Sequence, residues 1–259
     1  MLNDASSIDK SGAFALEILP SPSEDFLRKT ARRSLATAII CEIAMVLIVV
    51  LSSYSRLPVR AWLGDYDTAL AVSAIFPALG AYHYHNVYRR TKQGMEGEKR
   101  VIEFLKSKFG DDYFLINNIV YVNDRGNKEN IDHVVLGPNG IFAIETKEYS
   151  GKITCKKGYW TVPFPYGRSP SSQAKGNAYW VKKTIDESGA YETQNTSLYV
   201  KPIVVFSNPD VELTRIDPEV EVVKLDELAG SITSYSRYDF SVEQLKTMGN
   251  MITKHAQNM

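Results

Sequence analysis

Two apolar runs stand out in the first third of the chain. Residues 35–51, LATAIICEIAMVLIVVL, are interrupted only by Glu42, and residues 69–82, ALAVSAIFPALGAY, contain Pro77. A membrane-crossing helix needs about 17 to 25 mostly apolar residues. The first run reaches that length with Ser34 and Ser52 to Tyr54, and the second needs Tyr66 to Tyr84. The pattern predicts a polar tail over residues 1–25, then a two-helix membrane hairpin within 26–92. Its helices are expected at about 34–54 and 66–85. The alternative is a buried helical hairpin of a soluble core. Glu42 speaks for it, since a carboxylate at mid-bilayer costs about 2.5 to 3.5 kcal/mol. Protonation, Ser73 or another chain would meet that cost.

From Thr91 onward the pattern changes. Glu96 to Phe109 places Val101, Leu105 and Lys108 on one helical stripe with Ile102 and Phe109 beside it, and Gly110 ends it. Period-two and short continuous apolar stretches predict strands at Tyr113–Val122, Ile131–Leu136, Ile141–Lys147, Lys152–Lys156, Tyr159–Val162, Tyr199–Phe206 and Val220–Lys224. Helices are predicted at Ser172–Glu187, Asp226–Tyr235 and Ser241–His255, with a Pro/Gly/Ser-rich loop at Val162–Ser172. This order predicts an α/β domain over 94–259, a mixed central sheet flanked by helices.

Composition adds limits. At 259 residues, 44% hydrophobic and 23% charged, the chain suits one globular domain plus an additional segment. Zero formal net charge removes an overall basic field as an argument for nucleic acid, but not a local basic patch. Two cysteines, Cys41 and Cys155, make no disulfide framework, and four histidines show no metal-ligand spacing. Arg28, Lys29, Arg32 and Arg33 precede the first run, and Arg89, Arg90 and Lys92 follow the second. This bias puts both termini and the globular domain on the cytoplasmic side of the cell (inner) membrane, with two crossings.

The most informative stretch is IDHVVLGPNGIFAIETK, residues 131–147. Two apolar strands flank GPNG, yet Asp132, Glu145 and Lys147 sit on them. Residues two apart share a strand face, so Glu145 and Lys147 point the same way and Thr146 points away. If Gly137 faces Gly140, Asp132 lies across from Glu145. A bulged three-residue turn would separate them. Opposed carboxylates about 4.5 to 5.5 Å apart repel. A hard divalent cation, Mg²⁺ or Mn²⁺, removes that repulsion. Lys147 then stands ready to orient a water or stabilise negative charge, which suits phosphodiester hydrolysis. The competing reading is an edge acid beside an exposed ion pair.

Gly97-Glu98, Ile131-Asp132-His133-Val134-Val135, Gly140-Ile141-Phe142, Glu145-Thr146-Lys147, Gly151, Trp160 and Gln173 together resemble the nuclease-related domain, NERD. The resemblance covers about residues 94–190. It implies similarity to the PD-(D/E)XK nucleases: a restriction-endonuclease-like mixed sheet and an Mg²⁺ (or Mn²⁺) site. It makes Asp132 and Glu145 metal ligands, with the Thr146 carbonyl as a third. Lys147 would position water, and Glu98 would add a carboxylate. Gln173 would bind substrate.

Arg125, Lys128, Lys152, Lys156, Lys157, Arg168, Lys175, Lys182 and Lys183 surround this segment in sequence. They are candidates for tracking phosphates, with Lys175 joining Gln173 as a substrate contact, and Tyr159, Trp160 and Tyr179 are available for stacking. A solvated charged surface explains them equally. Expected partners are nucleic acid, the bilayer and a second copy of the chain. The rival to a nuclease is a nucleic-acid-binding, signalling or scaffold membrane protein that keeps the fold without cutting.

Overall fold

The computed structural model describes residues 17–19, 24–54, 72–162, 168–189 and 197–257. These divide into two compact units, one of Asp25–Met95 and one of Glu96–Met259 together with the chain up to Glu24.

The first unit holds most of α1 (Glu24–Tyr54) and the first part of α2 (Ile75–Lys108). Its packing is inverted relative to a soluble core. Small residues face inward: Ala31, Ser34, Ala38 and Ala81 are buried. At Gly80 an added Cβ would sit 3.1 Å from Cys41 Sγ, so glycine permits a close approach there. Ile39, Ile40, Ile43, Val46, Leu47, Phe76 and Leu79 face outward. Arg28–Val50 is the one segment among the described residues long and apolar enough to cross a membrane. The expected helix at 66–85 takes a different form. Residues 66–71 lie outside the described residues, and Ile75 to His85 belong to α2, which continues to Lys108. The apolar run ends near Tyr84, but no proline follows it in Tyr84–Lys108, so the backbone has no reason to stop. Pro77 falls in the first turn, where its missing N–H has no helical partner to lose.

The second unit is built on a six-stranded sheet in the order β1-β2-β3-β4-β7-β9. The strands are β1 (Glu17–Leu19), β2 (Phe114–Val122), β3 (Lys128–Gly137), β4 (Gly140–Lys147), β7 (Val200–Phe206) and β9 (Glu221–Lys224). The β2–β3 and β3–β4 pairs are antiparallel, while β1–β2, β4–β7 and β7–β9 are parallel. The sheet is therefore mixed and flanked by helices. One face packs Phe114, Ile116, Val134 and Ala143 under α3 (Pro170–Ser188) and α5 (Val242–Gln257). The other packs Leu115, Val135, Phe142 and Ile144 against Val101 and Leu105 of α2 and Leu228 and Ile232 of α4 (Leu228–Thr233). Buried on both faces, β4 reads as a nearly continuous apolar run.

Two features depart from the expected single sheet. A second, three-stranded sheet, β6-β5-β8, is formed by β6 (Tyr159–Thr161), β5 (Gly151–Lys156) and β8 (Val211–Ile216). It packs Ile153, Cys155 and Val211 against Ala174 and Phe206. The segment of β8 lies between Pro209 and Pro218 and reads as a loop on turn composition alone. Likewise β1 falls inside the expected polar tail. It is three residues long and is held as a parallel edge strand by Phe114–Ile116 of β2.

Candidate functional site

The β3–β4 turn has the even register. Gly137 faces Gly140, and the rungs continue through Leu136–Ile141, Val135–Phe142 and Val134–Ala143 to His133–Ile144. The next position in that register sets Asp132 opposite Glu145. The ladder stops there because the Asp132 side chain intervenes: its Oδ2 accepts the Thr146 backbone N–H at 2.7 Å. On the far side, β2 is distorted at the matching point. Asn118 has φ 52°, and the β2–β3 rungs skip from Asn117–His133 to Ile119–Ile131. Asp132 thus sits where two neighbouring strands have both let go of β3.

Glu145 is almost fully buried. Lys147 Nζ lies 2.7 Å from its Oε1, and Asn177 Nδ2 donates to its Oε2 at 2.9 Å. Asn177 is on α3, and the Tyr121 hydroxyl lies 3.2 Å from its Oδ1. Asn130 Nδ2 approaches Asp132 Oδ1 at 3.4 Å.

Glu98 arrives from α2, and Gly97 explains how. A Cβ at Gly97 would meet Ser207 Oγ at 2.7 Å and Glu148 Oε2 at 3.0 Å. Glu148 is clasped by Arg100 at 2.6 Å and by the Ser207 hydroxyl. The absent side chain lets the helix press onto the ends of β4 and β7, and the next residue is delivered to the carboxylates.

The electrostatics show that the groups share one field. Burial, then the Glu145 charge, push the Glu98 pKa up to about 7, against a hydrogen bond from Asn118 and the Lys147 charge. Burial, then Glu145 and Glu98, hold Asp132 well above the usual carboxylate range, against Lys147 and the Thr146 N–H. Burial works against the Lys147 ammonium, but Glu145 and Asp132 outweigh it and raise its pKa. Each carboxylate is costly in the presence of the others, and one ammonium compensates all three.

The remaining candidates fall in different places. Gln173 is one turn before Asn177 on α3, and its Oε1 is buried with no hydrogen-bond partner in the structure. Lys175, two positions on, points elsewhere and pairs with Glu219. His133 is fully buried, lies 2.7 Å from Asn117 Oδ1 through Nδ1, and is kept neutral by burial, its pKa pushed down to about 3. Trp160 packs on Phe206 and donates to Ser171 Oγ. Asn177, Tyr121 and Glu148 escaped the sequence reading. Asn177 carries only the weak signal of a buried polar residue on the apolar stripe of α3. Among the described residues, no three His, Cys, Asp or Glu side chains form a ready-made ligand group.

Residues 93–207 match the NERD family, the nuclease-related domain. Over 71 residues the chain is 34% identical to an uncharacterized protein of Bacillus anthracis, covering 27% of this chain and 34% of that protein. Over 80 residues it is 29% identical to the probable kinase PglW of Streptomyces coelicolor, covering 30% of this chain and 5% of PglW. The chain thus spans about a third or less of the length of the curated relatives it matches. The crystal structure of protein VC1899 from Vibrio cholerae aligns with 89% of this chain and 58% of its own, at 11% identity and a TM-score of 0.26.

Proposed function

We propose that the globular unit is a Mg²⁺- or Mn²⁺-dependent nuclease that hydrolyses phosphodiester bonds of DNA or RNA and is held at a membrane by α1. The observation that carries this is the convergence of Glu98, Asp132 and Glu145 around a single buried ammonium. The donor set fits a hard divalent ion: all its atoms are oxygens, and their mutual repulsion asks for more positive charge than Lys147 supplies. Asp132 and Glu145 would hold the ion. The Thr146 carbonyl would join them, because the Lys147 carbonyl is taken by Ser207 N–H and strand alternation turns Thr146 toward β3. A bound ion supplies a more acidic water and a polarised phosphate oxygen. Lys147, released from Glu145, orients that water or faces the developing charge. Gln173 offers its unpaired oxygen to water or substrate.

The test uses the full chain in detergent. Cleavage of single- or double-stranded substrate is expected with Mg²⁺ or Mn²⁺ and not with EDTA, with an Asp132→Asn preparation as the control for contaminating nuclease. Cutting by that control at the wild-type rate would remove this site from the reaction. A non-cutting, nucleic-acid-binding module is the second reading. Its supporting observation is that Lys147 already neutralises Glu145, leaving no preformed three-carboxylate group. Binding without cutting in every metal would favour it.

Membrane attachment rests on the inverted packing of the first unit, with small residues inside and large apolar ones outside. In this reading α1 and the second apolar run cross as a pair, with both termini and the nuclease cytoplasmic, as the Lys/Arg bias directs. Glu42 is exposed on α1, so a second copy of the chain would give it a partner. After lysis without detergent the full chain is expected in the membrane pellet, resistant to carbonate and released by detergent. Recovery in the supernatant would overturn the anchor.

A further inference from the structure

Beside the acidic group, the β2–β3 turn and the outer side of α3 enclose a groove of about 450 Å³, within the range of about 300–1,000 Å³ usual for small-molecule sites. Its floor is backed by the buried rings of Tyr121 and Trp180. Trp180 lies against Tyr121 with ring centroids 4.9 Å apart, and His255 meets Trp180 edge-on at 5.8 Å. Tyr179 stands at the rim, 56% exposed. Gly176 lets Arg168 close against the wall, since a Cβ there would lie 2.7 Å from Arg168 Nη2.

The charges at the rim are largely spent on one another. Lys183 pairs with Asp124 at 2.8 Å, and Arg168 pairs with Glu129. Arg125 is exposed at the turn, and no ion pair of its guanidinium is seen among the described residues. A run of phosphates would find little net charge here. One planar group on the exposed Tyr179 ring and one phosphate on Arg125 fit better. The groove is also tied to the acidic group, because Tyr121 belongs to its lining and reaches Glu145 through Asn177.

We propose that this groove receives one unpaired nucleotide of a single-stranded nucleic acid whose scissile phosphate lies at Asp132, Glu145 and Lys147. This rests on the nuclease reading above and specifies its substrate. A base within a duplex is held in its stack and reaches such a pocket only by being flipped out. A single strand offers its bases freely, and an aromatic surface accepts any of them by stacking.

The test is binding by the full chain in detergent micelles with EDTA, so that cleavage plays no part. The probes are a short fluorescein-labelled oligothymidylate, a duplex of the same length, and an oligothymidylate carrying thiothymidine for photo-crosslinking. The single strand is expected to bind more tightly than the duplex. Tyr179→Ala and Arg125→Ala should each weaken it about 10-fold, while Tyr179→Phe, which keeps the ring, should bind as wild type. Crosslinks should map to residues 121–127 or 176–187. Wild-type affinity in either alanine variant, preference for the duplex, crosslinks elsewhere or absence of binding would each overturn the groove. Metal-dependent cleavage by the wild type is read separately. Cleavage without groove binding sinks only this proposal, and groove binding without cleavage sinks the nuclease and with it the scissile phosphate, leaving the groove as a single-strand binding site.

Discussion

On the proposed nuclease reading, Lys147→Met is expected to lower the cleavage rate by about 10² to 10³-fold, and it is expected to destabilise the metal-free protein by about 3 kcal/mol at pH 8. The catalytic loss follows from removing the one ammonium beside Asp132 and Glu145. The stability loss follows from burial, with side-chain exposures of 14% for Lys147 and 8% for Glu145. Removing one partner of such a pair strands the other as an uncompensated buried charge, which costs far more than the pair was worth. The pH dependence gives the test its sign. Glu98 has its folded-state pKa raised to about 7 from an ordinary 4.5. Its ionisation therefore costs nothing below about pH 4.5, costs progressively more between the two values, and costs the full amount above about pH 7. Asp132 shifts in the same direction. Lys147 opposes both shifts, so its removal widens the cost. Urea denaturation with EDTA should show little difference between wild type and Lys147→Met at pH 5 and the full difference at pH 8. An equal difference at both pH values would reduce Lys147 to packing. The double variant Glu145→Gln, Lys147→Met should recover much of the stability and none of the activity.

The β3–β4 hairpin and its two possible registers were legible because the turn is local, and the structure has the even one. Four residues, GPNG, limit which positions can face each other, and two-residue alternation assigns the faces. The stop in the ladder at Asp132 was not legible. It depends on a side chain replacing a backbone acceptor for Thr146 N–H, and on Asn118 of the neighbouring strand β2 adopting a left-handed backbone. The support of Glu145 by Asn177 spans 32 residues and a helix-on-sheet contact, so no spacing rule announces it. The second sheet was missed for a different reason. The alternation in VELTRI is present, with Val211 and Leu213 turned to the core, but Pro209 and Pro218 at its borders signal turns more loudly. Composition marked the ends of β8 correctly and hid the strand between them.

Gly97→Ala is expected to cost about 1 to 3 kcal/mol and to reduce cleavage well beyond what that loss explains. Alanine is the better helix former, and Gly97 lies inside α2, so an exposed position would gain about 1 kcal/mol from the change. The surroundings reverse the sign. The new Cβ would lie 2.7 Å from Ser207 Oγ, 3.0 Å from Glu148 Oε2 and 3.1 Å from Glu148 Cβ. None of these atoms yields freely, because Glu148 is held by Arg100 and Ser207, and the Ser207 N–H is bonded to the Lys147 carbonyl at 3.0 Å. Relief comes by lifting α2 off the strand ends. Glu98 is the next residue, so it withdraws from Asp132 and Glu145. Its raised pKa, caused first by burial, should then fall toward the ordinary glutamate value, and the Asp132 repulsion should ease with it. The two consequences separate in measurement. Urea denaturation reports the cost of the clash, and the pH dependence of stability between about 4.5 and 7 reports the position of Glu98. A flattened pH dependence in Gly97→Ala, matching that of Glu98→Gln, is the expected result. A variant that is destabilised but keeps the wild-type pH dependence would mean that Gly97 serves only the packing of the helix.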